Sequence, residues 1–294
     1  MAANFLTEIE QRIPSLSKGQ RTIARYILEH YERAAFMTAA KLGVTVGVSE
    51  STVVRFASEV GCDGYPAFQH KLQKIIRNRL TSVQRIEITN EQIGRADVVN
   101  KVLQMDIDRI KHTMEEIDHQ GFNEAVTQII QARKIYILGI RSAASLANFL
   151  SFYFNHIFDN VRLVNTNSTS EMFEQIFRMN QDDVLIAISF PRYSQRTIKA
   201  ANYARNRGAH VISITDSLSS PLAASSDTCL CARSDMASFV DSLVAPLSLI
   251  NALVVAVGLE KQGEISQTFS ELERIWDEYN VYEKAKDDEK NDAF

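Results

Sequence analysis

Two periodicities divide the chain. Over the first eighty residues apolar side chains recur three and four positions apart, the spacing of short helices that bury one face. Leu16-Ser17-Lys18-Gly19-Gln20 reads as a loop entering a helix that runs through Leu28. Further helices are expected over Thr38–Val46, Ser49–Val60 and Pro66–Leu80. Residues 81–95 lose the pattern and read as a linker, and a long helix is expected over Ala96–Ile117. From Phe122 short β-branched runs alternate with helical stretches. The expected strands are Lys134–Leu138, Val161–Val164, Val184–Ser189, His210–Thr215 and Thr228–Cys231, and the expected helices Ala143–Phe158, Ser170–Met179, Ser194–Arg207 and Ser238–Lys261. Such alternation implies βαβ units and a parallel sheet covered on both faces. An amphipathic helix around Phe269–Tyr279 and a charged tail, expected to be disordered, close the chain.

The pattern gives an all-α domain over residues 1–80, a linker and connecting helix over 81–120, an α/β domain over 121–264, and a C-terminal helix and tail over 265–294. Composition changes this little. Hydrophobic residues make up 45% and charged residues 23%, enough for real cores. Ser242–Leu259 is apolar nearly throughout, yet Pro246, Ser248 and Asn251 interrupt it, so it reads as a buried or subunit-interface helix and no membrane is expected. The start MAANFLTEIEQRIPSL has no basic region ahead of an apolar run, so no signal peptide is expected. The cysteines, Cys62, Cys229 and Cys231, are odd in number without framework spacing, which fits a reduced cytoplasm, and Cys229 and Cys231, on one face of a strand, read as core. The histidines are scattered, and neither a metal nor a cofactor is expected.

Charge is distributed unevenly. Met1–Arg85 carries twelve Lys and Arg against seven Asp and Glu, a net of +5, whereas the whole chain is −4 and the remainder therefore −9. A basic head on an acidic body suits a nucleic-acid arm joined to a sensing part.

Within that head, Ala39–Ser58 (AAKLGVTVGVSESTVVRFAS) has the pattern of two helices crossing at a tight turn. Gly43 is small where the second helix crosses, and Gly47 permits a positive φ. Leu42, Val46, Val48, Val53 and Phe56 are spaced to fill the wedge, and Ser49 can cap the second helix. Ser49, Glu50, Ser51, Val54, Arg55 and Ser58 fall on the outer face, whose N-terminal end would enter the major groove. Arg55 suits guanine edges or phosphate, Val54 a thymine methyl, and Ser49 and Ser51 phosphate oxygens. Glu50 suits a cytosine amine or the helix start, and Thr52 is counted with this DNA-facing set. Lys18, Arg21 and Arg25 before the motif, and Lys71 and Lys74 after it, are candidate backbone contacts.

In the α/β part, the first strand ends in Leu138-Gly139-Ile140-Arg141-Ser142-Ala143 and the third in Ser189-Phe190-Pro191-Arg192-Tyr193-Ser194-Gln195-Arg196-Thr197, each running into a helix. Ligands of parallel sheets bind beyond the carboxyl ends of strands, where small-residue turns and hydroxyls present donors to phosphate. In this order, and behind this helix-turn-helix, the motifs resemble the RpiR family of bacterial regulators. The resemblance rests on LSKGQRTIARYIL (16–28), GVSESTVVRFASEVGCDGYPAF (47–68), VLIAISFPRYSQRT (184–197) and SFVDSLVAPLSLINALVVAV (238–257). It implies a SIS (sugar isomerase) domain with a five-stranded parallel sheet flanked by helices, a phosphorylated sugar or sugar-acid effector, a double-stranded DNA operator, and a homodimer or homotetramer. It carries Gly139, Arg141, Ser142, Ser189, Arg192, Tyr193, Ser194 and Thr197 over as ligand-binding positions. Against the family's Gly-x-Gly-x-Ser, Arg141 replaces the second Gly and Ala143 the Ser. Ser189 opens the second motif, whose end matches only with extra residues between. Arg141 and Arg192 could clamp an anion or instead fill the site. Asn167, Ser168, Thr169, Ser170 and Asp216 follow strands and are further candidates to line it.

A sugar-phosphate isomerase or lyase is the alternative. It would need a general base and a ring-opening group. Glu171, Glu174 and His210 form no recognisable constellation, so no catalytic residue and no enzyme activity are expected.

Overall fold

The computed structural model describes residues 2–76, 83–86, 97–235 and 240–282. They divide into two compact units, Met1–Asp108 with Asp235–Ser242, and Arg109–Ser234 with Leu243–Phe294.

The first unit is helical. Its helices are α1 (Ala2–Arg12), α2 (Lys18–Ala34), α3 (Ala39–Val46), α4 (Glu50–Glu59) and α5 (Gly64–Ile76). Ile23, Ile27, Leu42, Val53, Phe56, Phe68 and Leu72 form its core. Each start is written locally. Ser17 and Gln20 make a reciprocal capping box on α2, Thr38 caps α3 and Ser49 caps α4. Two helices depart from the sequence pattern. α1 was not anticipated, because Phe5 and Ile9, one turn apart, are its buried anchors among the described residues and Leu6 packs beside them only partly buried. α2 continues past Leu28 to Ala34 through a kink at His30, where exposed Glu29 and His30 break the apolar stripe. α5 begins at Gly64 and is described to Ile76, so the expected end at Leu80 lies outside the described residues.

The linker expected over 81–95 is only partly described, and the described part is not a solvated tether. Residues 83–86 form a helical turn in which Arg85 is buried and its guanidinium meets the Asp241 carboxylate at 2.7 Å.

The second unit carries the sheet. After α6 (Val98–Glu116), a helix begun in the first unit, and α7 (His119–Gln131), the chain runs β1 (Lys134–Gly139), α8 (Ala143–Ile157), β2 (Val161–Leu163), α9 (Thr169–Ile176), β3 (Asp183–Ile188), α10 (Gln195–Asn206), β4 (His210–Thr215), β5 (Thr228–Cys231), α11 (Val244–Glu260) and α12 (Gln262–Glu278). All strands are parallel in the order β2-β1-β3-β4-β5. Alternate residues feed two cores. Ile135, Ile137, Val184, Ile186, Ile188, Ile212 and Ile214 pack beneath α8 and α11, while Tyr136, Leu138, Leu185, Ala187 and Val211 face α9 and α10.

α7 was missed as a separate helix, although Asp118 caps it and Gly121, Ala125 and Ile129 recur every four residues. α11 starts at Val244 rather than Ser238. Residues 240–243 are not helical, because Asp241 is engaged by Arg85 and the Ser242 hydroxyl donates to Asp106 at 2.7 Å. α12 begins at Gln262, a full two turns before Phe269. Among the described residues no single helix is long and apolar enough to cross a membrane. Cys62 is buried, whereas Cys229 and Cys231 are only half-buried on edge strand β5 with their sulfurs 3.7 Å apart, so the reading of this pair as core does not hold. The Cys231 thiol and the Ser213 hydroxyl, through hydrogen bonds, lower the Cys229 thiol to about 7 against the opposing effect of burial.

One stability prediction arises in the head. A Cβ on Gly43 would stand 2.8 Å from the Val48 carbonyl oxygen and 3.3 Å from the Glu50 nitrogen, both backbone atoms of the turn. Gly43→Ala must therefore push α3 and α4 apart, at a cost of about 1–3 kcal/mol. Urea denaturation of the full chain checks this, with an unchanged midpoint as the contrary result.

Candidate functional site

The α3–α4 crossing has the geometry its sequence requires. α3 ends on Gly47 in the left-handed region (φ +74°), which turns the chain into the Ser49 cap. The Ser49 hydroxyl accepts the Thr52 N–H at 3.3 Å and lies within 3.0 Å of the Ser51 hydroxyl and 2.8 Å of the Thr52 hydroxyl. Glu50, Ser51, Val54, Arg55 and Ser58 are exposed along one side of α4. Arg55 lies back along the helix, its Nε donating to the Ser51 carbonyl at 3.2 Å. Thr52 is half-buried, and its methyl group faces Gly19 at the start of α2. Lys18, Arg21 and Arg25 are exposed on α2. Lys71 is less available, since it donates to the Gly61 carbonyl and lies over the Phe5 ring, and the Lys74 side chain lies outside the described residues.

In the second unit the chain leaves β1 toward β2 and then returns to β3 on the other side of β1. The crevice at that reversal, beyond the carboxyl ends of β1 and β3, is where open parallel sheets bind ligands. Gly139 and Ile188 are register partners at those ends, so the two loops that carry the sequence motifs start side by side.

Gly139 is required by proximity rather than by φ. A Cβ there would fall 2.3 Å from the Ala143 carbonyl oxygen and 2.8 Å from its carbon. Arg141 and Arg192 both adopt left-handed backbone, φ +62° and +65°, in a region that disfavours any residue with a Cβ. Arg141 and Ser142 are exposed, and Ser142 makes no capping bond to α8. Ser189 is buried and its Oγ accepts the Ser194 N–H at 3.2 Å, which closes the β3 loop, while Ser194 caps α10 through the Thr197 N–H. Thr197 is fully buried, and its hydroxyl has no partner among the described residues. The Tyr193 hydroxyl donates to Asp216 at 2.7 Å, and the Thr215 hydroxyl reaches the same oxygen at 3.3 Å, which ties the β3 loop to the end of β4.

Sequence reasoning passed over Arg196. It donates to the Asn167 carbonyl at 2.6 Å and so fixes the β2–α9 loop to α10. Ser168 in that loop is occupied as the cap of α9, and Thr166 donates to Glu171. His210 sits at the amino end of β4, its Nε2 2.8 Å from the Thr228 hydroxyl, away from the loops.

Comparison with known proteins agrees with both halves. Residues 3–79 match the family model described as helix-turn-helix domain, rpiR family, and residues 128–256 that of the SIS domain. Residues 3–79 are thus a helix-turn-helix domain of the rpiR family. The HTH-type transcriptional regulators it resembles include HexR of Pseudomonas aeruginosa, 26% identical over 264 residues covering 88% of this chain and 90% of that protein. HexR of Escherichia coli is 28% identical over 220 residues, 75% of this chain and 74% of that protein. Among solved structures, Vibrio vulnificus NanR complexed with ManNAc-6P has the same fold (TM-score 0.58, 24% identity, 95% of this chain and 100% of that chain). The sugar isomerase domain of an RpiR transcription factor from Sphaerobacter thermophilus also aligns (TM-score 0.57, 22% identity, 60% of this chain and 97% of that one). The chain is a DNA-binding transcriptional regulator with a SIS domain as its second part.

Proposed function

We propose that α4 is the helix that enters the major groove of the operator, and that the loops after β1 and β3 bind a phosphorylated sugar or sugar acid that modulates operator affinity. The observation that carries the effector half is the pair of left-handed arginines, Arg141 and Arg192, set past adjacent strands at the sheet's reversal point. Guanidiniums form charge-assisted, paired bonds to phosphate or carboxylate, and strained backbone concentrates at functional sites. The buried Thr197 hydroxyl, the loop hydroxyls and the ligand of NanR support the same class of compound. In this reading Gly139 and Ser189 shape the loops, and Arg141, Ser142, Arg192, Tyr193, Ser194 and Thr197 surround the anion.

No catalytic role is proposed. Glu171 is bonded to Thr166, Glu174 lies toward the amino end of the sheet, and His210 is engaged with Thr228. The protein works in the cytoplasm as a homodimer or homotetramer. Exposed Val99, Leu103, Ile107, Ile110 and Met114 form a stripe at coiled-coil spacing along α6. Val255 and Leu259 on α11 and Phe152 on α8 add further exposed apolar area.

The experiment is a titration of operator DNA against salt, with and without sugar phosphates that raise the melting temperature of the full chain. Log affinity should fall steeply with log salt, and a ligand that stabilises the fold should shift operator affinity. Arg55→Ala should weaken binding by about 1–3 kcal/mol, concentrated at one base position if Arg55 reads a base. A salt slope near zero defeats the DNA half. The absence of any stabilising sugar phosphate or sugar acid defeats the effector half.

A further inference from the structure

A hollow of about 330 Å³ opens at the β2 edge of the sheet, lined by Arg133, Lys134, Tyr136, Arg162, Glu174 and Arg178 among others. β1 separates it from the proposed effector loops. Lys134 and Gly139 are the two ends of that strand, about 16 Å apart at strand rise. Tyr136 and Arg162 are register partners on neighbouring parallel strands, so both side chains leave the same face of the sheet. α9 and the residues after it supply the opposite wall.

The charges in this hollow do not cancel. Arg133 is neutralised by Asp183, whose carboxylate is fully buried and 2.7 Å away. Arg162 and Arg178 form no ion pair or hydrogen bond among the described residues, and Arg178 lies over the exposed Phe177 ring. Lys134 adds a third cation, against Glu174 alone. Between them Tyr136 has its ring buried in the sheet core and lines the hollow, and its hydroxyl forms no hydrogen bond among the described residues. Burial raises the phenol above its ordinary value, with Asp183 adding to the rise and Arg162, Arg133 and Arg178 opposing it. The hydroxyl therefore stays protonated near neutral pH, as a donor. A phenol lining the hollow without a protein acceptor can donate to a ligand, and the surplus of cations around it supplies the sign of that ligand.

We propose that this hollow binds a small organic phosphate, held by Arg162, Arg178, Lys134 and the Tyr136 hydroxyl, at a second site distinct from the β1–β3 loops. A phosphate dianion matches a net surplus of two positive charges, and its oxygens can accept from guanidinium, ammonium and phenol together. The Phe177 ring and the Gln175 amide are left for the uncharged part of the ligand. The inference stands apart from the effector reading, since it shares none of its residues.

The test uses the full chain and pyrophosphate as probe, read by calorimetric titration. Arg162→Gln/Arg178→Gln removes the two guanidiniums that lack an ion pair among the described residues, both on exposed side chains, and Tyr136→Phe removes only the hydroxyl. Saturable binding is expected in the wild type, weakened at least about tenfold in the double variant and about fivefold in Tyr136→Phe. Arg141→Gly should keep this component, and melting temperatures should stay close to wild type in all three variants. Wild-type affinity in the double variant overturns the proposal, as does the absence of saturable binding to the wild type. Loss of pyrophosphate binding in Arg141→Gly alone also overturns it, and assigns the probe to the other site. If the double variant instead binds duplex DNA more weakly while pyrophosphate binding is unchanged, the arginines face nucleic acid and the proposal fails.

Discussion

Gly139→Ala should destabilise the full chain by about 3 kcal/mol, the upper end for forcing extra volume into a closed site. The reason is not conformational freedom, because Gly139 has ordinary strand backbone. A methyl group there would lie 2.3 Å from a backbone oxygen and 3.0 Å from the Ala147 methyl, so the first turn of α8 would have to lift off β1. That turn orients Arg141 and Ser142, so effector binding should be lost with the stability. For a chain of this size the melting temperature should drop by about 6–12 °C. Gly263→Ala is the matched control. Gly263 lies in α12 with nothing within 4 Å of its would-be Cβ, so alanine there should be neutral or stabilising by up to about 1 kcal/mol. Equal melting temperatures for the two variants would show that the β1–α8 junction yields more easily than its packing implies.

Arg141→Gly should separate stability from binding. Left-handed backbone costs a residue with a Cβ about 1–2 kcal/mol, and glycine gives back about 0.5–1 kcal/mol through its looser unfolded chain. Since the Arg141 side chain is exposed, the folded protein should be unchanged or more stable by up to about 1 kcal/mol. If the guanidinium binds the effector, affinity should fall by about 1.5–3 kcal/mol, roughly 10–100-fold. Thermal unfolding without ligand and calorimetry with the stabilising sugar phosphate give the two numbers. Unchanged affinity would mean that the arginine occupies a glycine's place without serving the ligand. A marked loss of stability would mean that it packs rather than binds.

The sequence carried the architecture well, and for physical reasons. The helix-turn-helix is legible because Gly43, Gly47 and Ser49 each answer a local backbone requirement that few residues can meet. The central strands β1, β3 and β4 are legible because a sheet covered on both faces demands continuous apolar runs there. What escaped was set by distant partners. The start of α11 depends on Asp241 meeting Arg85, which lies 156 residues earlier. Likewise, nothing local reveals that Tyr193 meets Asp216 or that Arg196 reaches Asn167. α1 packs through Phe5, Leu6 and Ile9, a run too short for a periodicity to emerge. The cationic hollow was invisible because Arg133, Arg162 and Arg178 are far apart in the chain and each alone resembles a solvated charge.

The Arg85–Asp241 pair has a mechanical consequence. Because Asp235–Ser242 belongs to the helical unit, the backbone passes between the two units three times, at 108–109, 234–235 and 242–243. Ending the chain anywhere before residue 241 would therefore leave a buried guanidinium in the helical unit without its counter-ion.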